Sequence, residues 1–223
     1  MSENDYIKNA DSMQSTETNA KSIFPVAKEL LNFNDKPYSL EGFRPFGAYF
    51  KMPMPQKTLY KTGRQQGKSQ NLAGFGWTLA ALVRNIQIMY VLPLFKQAKR
   101  FSYTRLKPFY NQSPQLNQVL LPEGHPSTSN SWQNKNLING SSIILQYVLT
   151  DVSRIRGESV DVMLCDEFQD FTEEITPIAR SCMSASPYEV MFMTGTPQTT
   201  TNILEDSWQN SSQAEWLVKC HNQ

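Results

Sequence analysis

Thr62-Gly63-Arg64-Gln65-Gln66-Gly67-Lys68-Ser69 is the stretch that decides how this chain reads. Lys57-Thr58-Leu59-Tyr60-Lys61-Thr62 before it has the character of a short strand, and Ser69 to Val83 after it that of a helix. Backbone N–H groups can surround a phosphate only where side chains do not block them, so glycines belong where the chain passes closest. Lys68 would set its ammonium on the outer phosphates of a nucleoside triphosphate, and Ser69 would offer a hydroxyl to magnesium. The start of the following helix adds partial positive charge at the same spot. One position departs from the usual spacing. Thr62 stands where a glycine is expected, five residues before the glycine–lysine pair, and Gly63 comes one step late. A bare Gly-Lys-Ser triplet arises often by chance; the flanking strand and helix are what favour a nucleotide.

A second motif follows at Val162-Met163-Leu164-Cys165-Asp166-Glu167. Val160 to Cys165 is an apolar run of strand length, interrupted by Asp161 and closed by two acids. Buried strands of parallel sheets read this way, and ligands gather at their carboxyl ends. Asp166 is then a magnesium-side carboxylate acting through water, and Glu167 a general base or water-positioning group. The alternative is two polar residues capping the next helix. A third stretch, Tyr188 to Met193, reads as a strand ending in Thr194-Gly195-Thr196-Pro197. That tip would sense a γ-phosphate, or would simply turn the chain, since Gly-Thr-Pro is turn chemistry.

Together these stretches resemble the ATPase domain of the large terminase subunit, the motor that packages DNA into tailed-phage capsids. Arg64-Gln65-Gln66-Gly67-Lys68-Ser69 is similar to that family's variant phosphate loop, in which an arginine comes early and the first glycine is missing. Met163 to Glu167 resembles its acidic motif, Thr194-Gly195-Thr196-Pro197 its coupling motif, and Arg156-Gly157 a segment just before the acidic strand. The resemblance covers roughly residues 40 to 200. It implies that ATP is held by Gly63 to Ser69, that Ser69 and Asp166 hold Mg2+, and that Glu167 serves the attacking water. It further implies that Thr194, Gly195 and Thr196 couple phosphate state to movement. Arg64 becomes a second cation near the γ-phosphate. Arg156, or its neighbour Arg154, becomes an arginine finger reaching a neighbouring subunit, or else a loop arginine pairing with Glu158 or Asp161. The family contacts adenine through an upstream glutamine; Gln56 is the candidate, though its Pro-rich surroundings fit a plain loop equally well.

Charge is unevenly spread. The net value is +1, yet Phe43 to Pro122 holds twelve Lys/Arg and no Asp or Glu, while Glu123 to Gln223 holds five basic and thirteen acidic residues. A basic block within one domain is what binding the DNA backbone needs. Its densest part is Arg84, Lys96, Lys99, Arg100, Arg105 and Lys107, interleaved with Phe95, Phe101 and Tyr103. The bland reading is a solvated helix face. Duplex DNA is gripped mostly through phosphates, so no base-reading motif is required. Cysteines at 165, 182 and 220 and histidines at 125 and 221 form no metal spacing or even disulfide set, which suits a reducing interior. No apolar run approaches a membrane span, and Met1 to Ala20 lacks the pattern of a signal peptide.

The expected fold is α/β: a P-loop NTPase of the additional-strand class, with a mainly parallel sheet covered by helices on both faces. In that class the strand ending at Thr194 lies between those bearing Lys68 and Asp166. The expected layout is a flexible tail over 1–20, a helix (Ile23 to Phe33) and lead-in segment over 21–56, the ATPase core over 57–200, and an extension or linker over 201–223. Within the core, Pro93 to Tyr110 reads as a basic helix, Asn111 to Asn136 as a long loop, and the Asn139-Gly140 pair as the turn of a hairpin between apolar runs. Large terminases usually carry a nuclease domain after the ATPase, and too few residues follow Pro197 here for one. The implied function is an ATP-driven translocase of double-stranded DNA into a procapsid. It would act in the host cytoplasm with a portal protein and small terminase subunit, as a homo-oligomeric ring when assembled and a monomer when isolated, without a membrane. Alternatives are a superfamily 2-type helicase core and an assembly module that binds ATP without turnover.

Overall fold

The computed structural model of the protein describes residues 21–148 and 151–215. The tail expected over 1–20, and Trp216, fall outside the described residues. Seven strands form the main sheet: β1 (Lys57–Lys61), β2 (Gln87–Leu92), β3 (Ser129–Asn130), β4 (Asn134–Asn136), β5 (Ser142–Tyr147), β6 (Val162–Cys165) and β7 (Val190–Gly195). Their order is β1-β7-β6-β2-β5-β4-β3. The first five in that order are parallel, and β4 and β3 add an antiparallel edge.

The central strands alternate cleanly between two cores. Ile88, Tyr90, Leu92, Val162, Leu164, Val190 and Phe192 face one, and Met89, Val91, Met163, Cys165, Met191 and Met193 face the other. Both faces are therefore buried, which is why these segments read as unbroken apolar runs. The first core is closed by α1 (Phe24–Leu30), α2 (Lys68–Leu82), α3 (Phe95–Phe101) and α4 (Lys107–Gln112); the second by α5 (Ile175–Met183) and α6 (Ile203–Gln209).

Helix α2 is apolar nearly all round and almost wholly buried, as expected of a helix enclosed on every side. Two hydrogen bonds tie it to its neighbours: Trp77 Nε1 donates to the Leu106 carbonyl (3.1 Å), and the Tyr90 hydroxyl of β2 donates to the Leu72 carbonyl (2.9 Å). The lead-in segment belongs to this core. Tyr49, on the 3-10 turn Arg44–Phe50, meets Tyr60 and Phe192 edge-on with centroids 4.4 and 5.3 Å apart, and Phe75 lies 4.8 Å from Phe192. Deleting one such ring costs about 3–5 kcal/mol, so residues 44–50 are structural parts of the site's scaffold.

Several expectations are revised. The first helix ends at Leu30, because Asn32–Phe33 pairs with Lys36–Pro37 in a small ribbon. The basic helix runs on to Gln112 through a wider turn at Ser102–Leu106, where the Lys107 N–H bonds the Ser102 carbonyl. The stretch expected to be a long loop holds another wide helical turn, Gln115–Leu120, and strands β3 and β4. The hairpin exists, but its first arm is Asn134–Asn136 rather than Leu137–Ile138. Leu137 is buried instead, and the Asn139 carboxamide accepts the Ser141 N–H within the connecting loop.

Candidate nucleotide site at the carboxyl edge of the sheet

Strand β7 lies between β1 and β6, so the three motifs of the sequence emerge side by side at one edge. The register puts Gly195 opposite Lys61 and Met193 opposite Cys165, which leaves Thr194 beside Asp166. The Thr194 hydroxyl donates to Asp166 Oδ1 at 2.7 Å, and both residues are buried. On the other side, the Thr62 N–H donates to the Gly195 carbonyl at 3.1 Å. Strand β7 thus touches both the Thr62–Ser69 loop and the acidic motif.

The loop itself is open to solvent from Gly63 to Gln66 and closes down at Gly67 and Lys68. Gly67 has φ +76°, and a side chain there would meet the Phe43 ring at 2.7 Å, so only glycine fits. Asn71 ties the helix start to the loop: its Nδ2 donates to the Gly67 carbonyl (2.9 Å), while its Oδ1 accepts from the Tyr38 hydroxyl (2.6 Å). Gln65 also takes positive φ, 60°, in the exposed bend. The Lys68 ammonium folds back to donate to the Gly63 carbonyl at 2.7 Å. Burial holds its pKa below the ordinary lysine value, partly opposed by the charges of Glu167 and Asp166.

Asp166 Oδ1 accepts hydrogen bonds from the Thr194 hydroxyl and the Glu167 N–H, and the Ser69 hydroxyl lies beside the same carboxylate. Burial still dominates and raises its pKa. A desolvated carboxylate flanked by two hydroxyls, within the field of a lysine, is short of positive charge. Glu167 follows at φ +56° and half-exposed, its Oε2 accepting from Gln169 Nε2 at 2.8 Å.

Gly63, Gln65, Gln66, Gly67, Lys68 and Ser69 are therefore joined by Asp166, Glu167, Thr194, Gly195 and Thr196 at one edge, with Arg64 exposed on the loop. Gln56 is not brought there. Its carbonyl accepts the Met191 N–H at the amino edge, with the whole of β1, roughly 17 Å at about 3.3 Å per residue, between it and the loop. It lines a cavity of about 560 Å³ with Lys57, Arg180 and Glu189, away from the motifs. Arg154 is engaged locally, 4.6 Å over the Tyr147 ring and donating to its hydroxyl at 2.9 Å. Arg156 is exposed and, among the described residues, forms no ion pair; Asp161 instead accepts from the Gln87 N–H and the Ser186 hydroxyl. Of the basic block, Lys96, Lys99, Arg100 and Lys107 stand exposed along the helix from Phe95 to Gln112, while Arg105 is half-buried and Arg84 sits apart on the turn before β2.

Sequence reasoning missed Gln169, Asn71, Tyr38 and Phe43. Only Gln169 carried a signal: a polar residue two places after Glu167, between two phenylalanines.

Residues 46–222 match the family model "Phage terminase large subunit gpA, ATPase domain". The chain belongs to this terminase family. Solved large terminase structures share its fold. The HK97 bacteriophage large terminase aligns with TM-score 0.65 and 16% identity over 85% of this chain and 41% of its own. The large terminase of a thermophilic bacteriophage, in complex with ADP, aligns with TM-score 0.59 and 10% identity over 79% of this chain and 43% of its own. The chain thus spans about two-fifths of each terminase. A comparison with curated protein sequences finds no match. The fold is that of the additional-strand P-loop ATPases, and no helix among the described residues is long and apolar enough to cross a membrane.

Proposed function

We propose that this domain hydrolyses ATP with Mg2+ and couples the cycle to translocation of double-stranded DNA into a viral procapsid. The observation that carries the reading is the Thr194–Asp166 hydrogen bond, made between adjacent strands directly beside Lys68 and Glu167. The residues fit the metal: Asp166 is buried and short of positive charge, the Ser69 and Thr194 hydroxyls adjoin it, and magnesium is usually held by one or two carboxylates together with substrate phosphates. Ser69 and Asp166 would hold it. When bound, the ion neutralises charge on the phosphate oxygens.

The protein's own groups do the rest. N–H groups of Gly63 to Ser69 orient the phosphates, and Lys68, released from the Gly63 carbonyl, meets their charge. Glu167 orients the attacking water and takes its proton. Arg64 adds a second cation on the loop. Arg156 is the finger candidate. It is exposed on the connection between β5 and β6, and its proposed role is to serve a neighbouring subunit's site in a homo-oligomeric ring. Thr194 and Thr196 carry the phosphate state onward. The exposed Lys96, Lys99, Arg100 and Lys107 face DNA phosphates, and the portal and small subunit complete the assembly in the host cytoplasm.

The test is ATP turnover by the full chain with and without duplex DNA. Turnover above the Lys68→Ala background, stimulated by DNA, is expected; none above that background would refute the motor. Replacing Lys96, Lys99 and Arg100 together by alanine is expected to flatten the salt dependence of DNA binding, by about 0.9 in log–log slope per lost phosphate contact. An unchanged slope would remove the helix from the DNA path.

A further inference from the structure

Gln169 lies on the 3-10 turn Phe168–Asp170 and is only 6% exposed. Phe168 and Phe171 beside it are buried, so the turn is anchored in the second core. Its carboxamide has partners on both sides. Nε2 donates to Glu167 Oε2 at 2.8 Å and lies 3.5 Å from Asp170 Oδ2, while Oε1 accepts the Thr196 N–H at 2.9 Å. The donor end can face only a carboxylate and the acceptor end only an N–H, so the amide's orientation is fixed by its neighbours.

Both partners need holding. Glu167 has positive φ, a conformation a non-glycine residue keeps only when its surroundings over-determine it. Thr196 begins the exposed turn after β7, where no strand pairing extends beyond Gly195. The contact continues outward. A side chain at Gly195 would meet Gln169 Oε1 and the Leu204 methyls at 2.9 Å, so the turn is pressed between Gln169 and α6. Helix α6 is in turn fixed to the end of β1 by the Lys61–Glu205 ion pair at 2.6 Å.

We infer that Gln169 is a positioning residue that ties the direction of the Glu167 carboxylate to the Thr196 turn, so that base and turn move as one unit. This rests on the ATPase reading of the site. The amide touches neither the phosphate loop nor Lys68, so its loss misplaces the base while leaving the grip on nucleotide intact.

Two variants of the full chain separate the two halves of the link. Gln169→Leu removes both hydrogen bonds at similar volume. It is expected to lower kcat about 10- to 100-fold, the range for a misplaced catalytic group, with KM held within about threefold of the parent value. Amide exchange at Thr196 becomes faster. Gln169→Glu keeps an acceptor for the Thr196 N–H but loses the donor to Glu167. Its kcat falls likewise while Thr196 exchange stays at the parent rate. Thermal melts establish that each variant is folded, and the exchange experiment on Gln169→Glu stands if the leucine variant is not. Parent turnover with kcat within twofold in both variants, or unchanged Thr196 exchange in Gln169→Leu, overturns the inference alone. Parent turnover no higher than Lys68→Ala overturns the ATPase reading, and this inference with it.

Discussion

Lys135 offers a perturbation whose size follows from the structure. It sits in β4 only 2% exposed, its Nζ donating to the Ser131 carbonyl at 2.7 Å and to the Ser102 hydroxyl at 3.3 Å, with no carboxylate beside it. Burial lowers its pKa from 10.5 to about 8. The native state therefore binds this proton less tightly than the unfolded chain, and stability from this group rises with pH between about 8 and 10.5. At 1.36 kcal/mol per unit, the charged form costs about 3 kcal/mol at neutral pH. Lys135→Met removes that cost but gives up two hydrogen bonds worth about 1 kcal/mol each. A net gain of about 1 kcal/mol at pH 7 is expected, or roughly 2–4 °C in Tm for a chain of this size. The variant's advantage should then shrink and reverse as pH rises to 10.5, because only the parent recovers stability there. Urea titrations of both proteins at several pH values measure the difference, in which other titrating groups cancel. A methionine variant less stable at pH 7, with the same pH slope as the parent, would refute the reasoning.

Asp166→Asn is expected to stabilise the nucleotide-free chain at pH 7 by about 0.5–2 kcal/mol, the usual scale for relieving a functional site, while abolishing turnover. Burial raises the Asp166 pKa, so the native state holds the proton more tightly and stability falls as pH rises above the ordinary value of 3.8; melts should therefore show the gain disappearing at acid pH. Gly67→Ala forces positive φ on a residue with a side chain and drives it into the Phe43 ring. It should cost about 1–3 kcal/mol in a denaturant titration and weaken ATP binding, measured with a fluorescent analogue.

Where the sequence was legible, local chemistry and tertiary geometry agreed. The apolar runs 162–165 and 190–195 are strands buried on both faces, and the motifs at their ends follow from strand direction. The strand–loop–helix around Gly67-Lys68 was readable because the flanking patterns are local and glycine suits the positive φ at the helix start. Contacts between distant segments were not readable. Nothing in the lead-in pairs Tyr38 with Asn71 or Phe43 with Gly67 until the chain folds over α2. Gln56 misled because nearness in sequence to the loop is not nearness in space: β1 carries the chain from one edge of the sheet to the other. The hairpin slipped by one arm because burial of Leu137 outweighed its strand propensity. Gln169 carried only the signal of a polar residue close after the acidic pair; its bond to Thr196, twenty-seven residues away, was not readable.

The most direct test of the account is a paired measurement of ATP affinity and ATP turnover for the parent, Lys68→Ala and Glu167→Ala. Glu167→Ala should bind ATP about as tightly as the parent yet turn it over about 10²- to 10⁴-fold more slowly, the range for loss of a general base. Lys68→Ala should lose binding and turnover together. Parent-like turnover in Glu167→Ala, or parent-like affinity in Lys68→Ala, would contradict the assignment of the site.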